Sequence, residues 1–562
     1  MSAASAASVA SQPVPSAVVD VPAMRRVDRW LPLAVCALTL LATVHAIEPL
    51  PVGVFYDDAQ YVILAKSLAT GQGYRFLNLP GAPLATHFPP GYPAFLALLW
   101  RVSPAFPENV ALLKFANALL IVLVALLTYR FATRTLEMSP AMAFVATIAG
   151  AATIPSLVLS SAIMSEPLFL ALLLPVLAWS ERATQRPEAD PHRAELRGAV
   201  LLGIAIGALA LVRTHGIALA AAVVTAYLSR ARRRDAITCA LATVVVLAPW
   251  MVWVRLHNDA LPLLVRGAYG SYFEWLAMGL RADGWHLLSV TLPDNVATTW
   301  MAIVRSIVPD VHWSLDLLVG GLYLWLAALG TVSCWHRARV MTLFIAGYLA
   351  IVLVWPFSPL RFVWGVWPLL MLLPAAGLTV AWRRATVMRS APWRNALVAA
   401  ALVLGAGVAS FNVRGYLNAW WSSNARFHAR RVLPQLAWVA RSTNPDDVVA
   451  ADAEAAVYLY TGRRAVPVTS FTATEYARER TAAEDVAILE QLLARYQPRY
   501  VVVTSPRLNE AASRIAHSRP TGLVRVDSLA QGAVYGWCDV HYTLYPTDFL
   551  QPTLTIRLYS TF

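Results

Sequence analysis

The segment GAVLLGIAIGALALVRTHGIALAAAVVTAYLSRARRR, residues 198–234, holds two apolar stretches of helical length, parted by Arg213-Thr214-His215-Gly216 and closed by a burst of arginine. Neither stretch contains a charged side chain. A run of this composition suits hydrocarbon, where about 20 residues at about 1.5 Å each cross a bilayer. The same texture recurs along the 562 residues: 58% belong to the apolar set AVILMFWYC and 14% are charged, against about 45–50% and about 25% in soluble domains. So much apolar surface cannot be hidden inside soluble domains, which excludes a disordered chain, collagen, a coiled coil and an ordinary cytosolic enzyme.

Comparable runs lie near residues 31–49, 109–128, 139–157, 165–180, 236–255, 314–334, 340–356, 362–382 and 395–412. With the pair around Arg213 they make eleven expected spans, although that pair can also be read as one long broken element. Threaded alternately, every short arginine-rich loop falls on one side: Arg25/Arg26/Arg29, Arg130/Arg134, Arg182/Arg186/Arg193/Arg197, Arg230/Arg232/Arg233/Arg234, Arg337/Arg339 and Arg383/Arg384/Arg389/Arg394. The positive-inside rule then places the N-terminus in the cytoplasm and the C-terminus outside. The net charge of +13 is therefore topological, and no nucleic-acid partner is expected. Val44-His45-Ala46 resembles a signal-peptidase site, but an uncleaved first helix is the expectation. Cys36, Cys239 and Cys334 lie in apolar runs and only Cys538 in a polar one, so no disulfide framework is expected.

The expected organisation is a flexible cytoplasmic tail over 1–29, a transmembrane domain over 30–412 with outer loops at 48–107 and 256–313, and an extracytoplasmic α/β domain over 413–562. In that last part charges and turn residues return. Residues 447–451 and 499–504 read as buried parallel strands, 484–496 as an amphipathic helix, and 522–526, 533–537 and 553–559 as further strands. No internal repeat of the kind that builds many transporters is visible.

Chemistry is expected in the first outer loop, at Phe55-Tyr56-Asp57-Asp58-Ala59-Gln60-Tyr61 and His87-Phe88-Pro89-Pro90-Gly91-Tyr92-Pro93. Adjacent carboxylates at the end of a membrane helix repel each other and are partly desolvated, which raises the pKa of at least one and suits it to accept a proton. Capping of the helix that follows is the structural alternative, and one aspartate can cap while the other faces a cavity. Glu166, in Met164-Ser165-Glu166-Pro167, lies on the same expected side. An acid at membrane depth usually faces a cavity or a partner, although the first turn of a helix also favours it. Arg361 and Arg213 are candidate phosphate contacts, since guanidinium matches phosphate with two hydrogen bonds; snorkelling to headgroups explains them equally. Lys66, Tyr61, Tyr92 and His87 complete the candidate substrate contacts. Tyr458, Tyr460 and Trp537 in the tail read mainly as core aromatics. No HExxH, CxxC, phosphate-loop or dinucleotide motif is present.

The order Tyr56-Asp57-Asp58-Ala59-Gln60-Tyr61, His87-Phe88-Pro89-Pro90-Gly91-Tyr92-Pro93, Met164-Ser165-Glu166-Pro167 and Arg361 resembles the GT-C membrane glycosyltransferases, in the bacterial branch related to protein O-mannosyltransferases and the lipid A aminoarabinose transferase. The resemblance covers about the first 380 residues. It departs from the family in having Asp57-Asp58 where Asp-Glu is usual, which leaves open which side chain reaches the acceptor. It implies transfer of a monosaccharide from a polyprenyl-phosphate donor to a glycan, lipid or protein acceptor, with inversion, at the outer face of a bacterial cytoplasmic membrane. It further implies Asp57 or Asp58 as general base, Glu166 orienting the sugar or acceptor, and Arg361 on the departing phosphate. No cofactor is required on this reading, although two carboxylates and a phosphate can hold Mg²⁺ or Mn²⁺. A polysaccharide polymerase or O-antigen ligase and, further off, a secondary transporter are the competing functions.

Overall fold

The computed structural model describes residues 29–185, 194–308, 312–355, 357–472, 475, 478–518, 522–529 and 531–537. The expected N-terminal tail, Arg186, Arg193, Cys538 and the expected strand at 553–559 lie outside the described residues. Helices α1 (Leu31–His45), α2 (Asp57–Ala69), α3 (Gly91–Val102), α4 (Val110–Arg134), α5 (Pro140–Ala151), α6 (Ile154–Ser161), α7 (Glu166–Gln185), α8 (Ala194–Val212), α9 (Ile217–Leu228) and α10 (Arg233–His257) come first. They are followed by α11 (Leu263–Tyr269), α12 (Tyr272–Asp283), α13 (Trp285–Val304), α14 (Trp313–Cys334), α15 (Arg339–Val354), α16 (Leu360–Trp364), α17 (Trp367–Val387) and α18 (Ala391–Leu417).

The protein is a polytopic, mostly helical membrane protein. Each of the eleven apolar stretches read from the sequence contains helix. By length and composition, six described helices suffice to cross a membrane, or seven if α5 and α6, bent by 50° at their junction, form one span; α1, α8, α9 and α15 contain shorter apolar helices. The segment around Arg213 is two helices, because Arg213 takes extended backbone (φ −145°, ψ 129°) and a short 3-10 turn at Thr214–Gly216 leads into α9. The described residues of the expected outer loop at 256–313 hold α11, α12 and α13, and by length and composition α13 is apolar enough to cross a membrane. Pro293, Asp294 and Asn295 interrupt its apolar run, which hides it from a hydropathy reading. Its polarity is satisfied by packing, since Asn295 donates to the Val352, Leu353 and Trp355 carbonyls at the end of α15.

Two features define the ends of the bundle. At one end the arginine-rich connections are stitched together. Arg230 and Arg232 donate to the carbonyls of Thr184 and Ala183, Arg339 to Ser229, and Arg337 pairs with Glu137 at 2.9 Å. The first two of these bonds satisfy carbonyls that a helix end leaves open. At the opposite end lies the sheet domain, composed of α19 (Ser423–Ser442), β1 (Val449–Ala451), α20 (Glu454–Thr461), β2 (Ala465–Pro467), α21 (Ala482–Tyr496), β3 (Tyr500–Val503), α22 (Pro506–Ser518), β4 (Leu523–Leu529) and β5 (Gly532–Trp537). Its order is β2-β1-β3-β5-β4; the first three strands are parallel, and β5 pairs antiparallel with both β3 and β4. Four of the five expected strands or strand regions are thus found, and β2 is added. The expected helix at 484–496 is α21, started by a Thr481/Glu484 capping box.

The sheet domain is fastened to the first loop. The Tyr460 hydroxyl accepts from Val52 N–H at 3.1 Å, Ala465 N–H donates to the Asn78 carbonyl, and Lys66 lies over the Tyr458 ring. Within the bundle, α14 and α17 cross at backbone contact: a Cβ on Gly377 would lie 1.9 Å from the Leu326 carbonyl oxygen, and one on Gly330 would lie 1.9 Å from that of Leu373. Small residues permit such an approach where no hydrophobic effect drives helices together. Gly377→Val is therefore expected to lower the melting temperature in detergent by several degrees, since overpacking costs about 1–3 kcal/mol. Gly405→Ala in α18, where a Cβ meets nothing within 4 Å, should leave it unchanged or raise it slightly; scanning fluorimetry of both variants checks the contrast.

Candidate active site

A cavity of about 510 Å³ opens between the sheet-bearing end of the bundle and the sheet domain. Asp57, Tyr61, His87, Arg213 and Arg361 line its bundle side, while Asp452, Glu454 and Thr469 line the other. The groups expected to act together do meet here, from positions 57 to 361 of the chain. Asp57 Oδ2 lies 2.5 Å from Arg361 Nη2, Arg361 Nε 3.6 Å from Glu166 Oε1, and that same oxygen 2.9 Å from Arg213 Nη1. Two acids and two guanidiniums thus alternate in one chain of charge. Glu166 is fully buried and its oxygens receive no well-directed hydrogen bond. It is held by charge alone, and removing a partner would leave an uncompensated ion at a cost of about 3–5 kcal/mol.

Local sequence explains how each group is aimed. Glu166 opens α7, ahead of Pro167 in the first turn, where Pro and an acid are both favoured. Ser165 does not spend its hydroxyl on capping; it receives Arg213 Nη1 at 2.8 Å and lies 3.2 Å from the Tyr61 hydroxyl. Asp57 is the first residue of α2, and Tyr56 before it has φ 64° and ψ −53°, with Asp57 N–H bonded to the Phe55 carbonyl at 2.6 Å. That is a γ-turn of the rare positive-φ kind, a strained conformation for a bulky residue.

The two adjacent aspartates have different jobs. Asp58 is buried and does not line the cavity; it accepts from the backbone N–H groups of Gly53, Val54 and Phe55 at 2.8, 3.2 and 3.1 Å. Burial pushes its carboxyl up, and the Gly53 and Phe55 hydrogen bonds pull it back down. The expected raised pKa within the pair is found here, caused mainly by desolvation rather than by repulsion. Of the pair, Asp57 is the one that faces the cavity. Glu166 is likewise behind the wall, touching the arginines and not the cavity itself.

Other expected contacts separate in the same way. His87 is on the wall, with Nδ1 2.5 Å from the Gly270 carbonyl oxygen. A carbonyl only accepts, so Nδ1 carries the proton, and burial holds the imidazole below its usual range. Lys66 and Tyr92 do not line the cavity: Lys66 faces Tyr458, and Tyr92 is fully buried with its hydroxyl on Asn117 Oδ1. Tyr458, Tyr460 and Trp537 are also absent from the wall.

Sequence reading missed the sheet-domain side of the site. Parallel strands β1 and β2 end at the cavity, and ligands of open α/β sheets bind at such carboxyl ends. Asp452, just past β1, receives the backbone N–H groups of Thr504 and Ser505, both at 2.8 Å, and so ties β1 to the end of β3. Glu454 is buried and accepts the hydroxyls of Tyr56 and of Tyr269, the latter at 2.6 Å. Burial pushes its carboxyl up to about 7 against the pull of the two phenols. Its only sequence signal is an acid three residues past a short apolar strand.

A metal was an open expectation. Among the described residues no group of three or more His, Cys, Asp and Glu side chains is placed to hold one. Of the acids on the cavity wall, Asp57 pairs with Arg361, Glu454 accepts two phenols and Asp452 accepts backbone N–H groups.

At low sequence identity, this fold is shared with solved structures. The chain matches the crystal structure of ArnT from Cupriavidus metallidurans in the apo state with a TM-score of 0.55 at 15% identity, over 91% of this chain and 98% of that one. It also matches the Archaeoglobus fulgidus oligosaccharyltransferase, crystallised with Zn and sulfate, with a TM-score of 0.50 at 13% identity, over 90% of this chain and 73% of that one. No family model matches the sequence, and no curated protein matches it. The shared property is the fold.

Asp58→Ala should cost about 3 kcal/mol of stability, because three backbone donors lose their acceptor at about 1 kcal/mol each; chemical denaturation in detergent measures it. Glu454 supplies a pH signature. Its folded pKa of about 7 exceeds that of an unfolded glutamate, so its stabilisation is complete below about pH 4 and is lost as pH rises through about 7. The melting temperature should therefore fall between about pH 5 and about pH 8, and Glu454→Gln should flatten that part of the profile.

Proposed function

We propose that the protein is an inverting glycosyltransferase that moves a monosaccharide from a polyprenyl-phosphate donor to an acceptor hydroxyl at the sheet-domain face of the membrane. The observation that carries this reading is the Asp57–Arg361 pair on the cavity wall, with Arg213 beside it. A phosphate entering from the bilayer meets two guanidiniums that are short of bidentate acceptors. When it takes Arg361, the Asp57 carboxylate is released next to the reacting centre.

The acceptor oxygen then attacks the anomeric carbon, the bond from that carbon to the phosphate oxygen breaks on the opposite side, and the hydroxyl proton passes to Asp57. Arg361 and Arg213 hold the departing phosphate. Glu166, behind them, keeps both cations in place. Asp58 holds the loop that aims Asp57. No step runs through a metal ion, although Mg²⁺ or Mn²⁺ carried by the incoming phosphate is compatible with it.

The sidedness proposed from the arginine-rich loops puts the N-terminus in the cytoplasm and the cavity and sheet domain outside, in a bacterial cytoplasmic membrane. A lipid-phosphate donor fits that location, because it needs no nucleotide-binding fold and can enter between helices. A carrier would place its ionisable groups near mid-membrane with access from both sides, and these cluster at one end. The sugar can be a pentose or a hexose, and the acceptor a glycan, a lipid or a protein.

Incubating the purified protein with radiolabelled polyprenyl-phosphate sugars tests the proposal directly. One of the panel should be consumed, and Asp57→Asn should lower turnover by about 10²–10⁴-fold. Activity should survive dialysis against EDTA. Failure to transfer from any donor would sink the reading.

A further inference from the structure

Glu454 lies 397 positions along the chain from Asp57, in the first turn of α20, and yet it touches the turn that presents Asp57. Both the Tyr56 and Tyr269 hydroxyls donate to the same oxygen, Oε1. Tyr269 is fixed in turn by Asn78 Nδ2 at 2.8 Å, and its ring meets that of Tyr56 edge-on at 6.3 Å. Asp58 holds the other side of the turn through Gly53, Val54 and Phe55.

A non-glycine residue at φ 64° and ψ −53° persists only where its surroundings over-determine it. Here they do so from two sides, and one of the two is the sheet domain. Without the phenol bond Tyr56 is free to relax to negative φ, and the Asp57 Cα then turns with it. The geometry points to Glu454 as a positioning residue: through Tyr56 it locks the strained turn that aims Asp57 into the cavity, so the docked sheet domain completes the active site.

This inference rests on the transferase reading and adds a role for a residue that contacts neither phosphate nor sugar in it. It requires an oxygen acceptor at position 454 rather than a negative charge, because phenols donate equally to an amide oxygen. It also separates the two tyrosines. Tyr56 carries the turn, whereas Tyr269 only shares the acceptor.

The experiment compares donor transfer by the wild-type protein with Glu454→Ala, Glu454→Gln, Tyr56→Phe and Tyr269→Phe in detergent, with melting temperature and donor KM recorded for each. Misplacing a catalytic group by about 1 Å costs about 10²-fold, so kcat should fall about 10–100-fold in Glu454→Ala and Tyr56→Phe, with donor KM within about threefold of wild type. Glu454→Gln should restore kcat to within about threefold, and Tyr269→Phe should stay near wild type. Hydrogen exchange of residues 53–57 should quicken in Glu454→Ala and Tyr56→Phe only. A purely structural role is read out as lost folded protein with unchanged kcat per folded molecule, and that result overturns the inference. So does a Glu454→Gln variant as impaired as Glu454→Ala, which would assign the role to charge. If wild-type protein transfers nothing, the transferase reading has failed; if wild type is active, Asp57→Asn is inactive and Glu454→Ala keeps its kcat, only the positioning role has.

Discussion

Everything at the sheet-bearing end of the molecule depends on four charges that cannot be left alone in a poorly solvated place. Asp57, Arg361, Glu166 and Arg213 come from four separate elements, and each is tolerable only because the next is there. In a medium of low dielectric constant an unpaired member would cost several kcal/mol. The pairing therefore fixes the start of α2, the start of α7, the turn between α8 and α9, and the short helix α16 relative to one another. A charged cavity is what remains when those ends are brought into register.

The same arrangement explains why the acids are few and the bases many. At the opposite end Arg230 and Arg232 bond to open helix carbonyls and Arg339 to a serine hydroxyl, so no acid is needed for each of them. At the cavity each acid is matched to a cation or a donor, and an extra one would be unpaired. Asp58 and Glu454 obey the rule by different means, the first through backbone N–H groups and the second through phenols.

Much of the architecture was legible because hydropathy is a local property. The helices containing the eleven apolar runs and the strands at β1 and β3 follow from run length and alternation along the chain, and alternate threading put Asp57, Glu166 and Arg361 on one side. α13 was hidden because Pro293, Asp294 and Asn295 look like a loop until the carbonyls at the end of α15 are seen to receive Asn295. The division of labour between Asp57 and Asp58 was equally invisible, since it depends on the path of residues 53–56. Lys66 and Tyr92 have side chains suited to a substrate but turn to Tyr458 and Asn117, and no feature of their neighbours in sequence announces this. Glu454 was out of reach for the opposite reason: its partners at 56 and 269 are distant, and neither carries a motif.

The sheet domain could in principle unfold by itself, as an appended domain often does. But its first loop contacts place a buried carboxylate under two phenols from the bundle, with Tyr460 and Ala465 bonded across the same seam. Parting the two would strand those polar groups together, at a cost that rises with each bond broken. Bundle end and sheet domain thus share one cooperative unit, and loss of order in either is felt as slackness in the other.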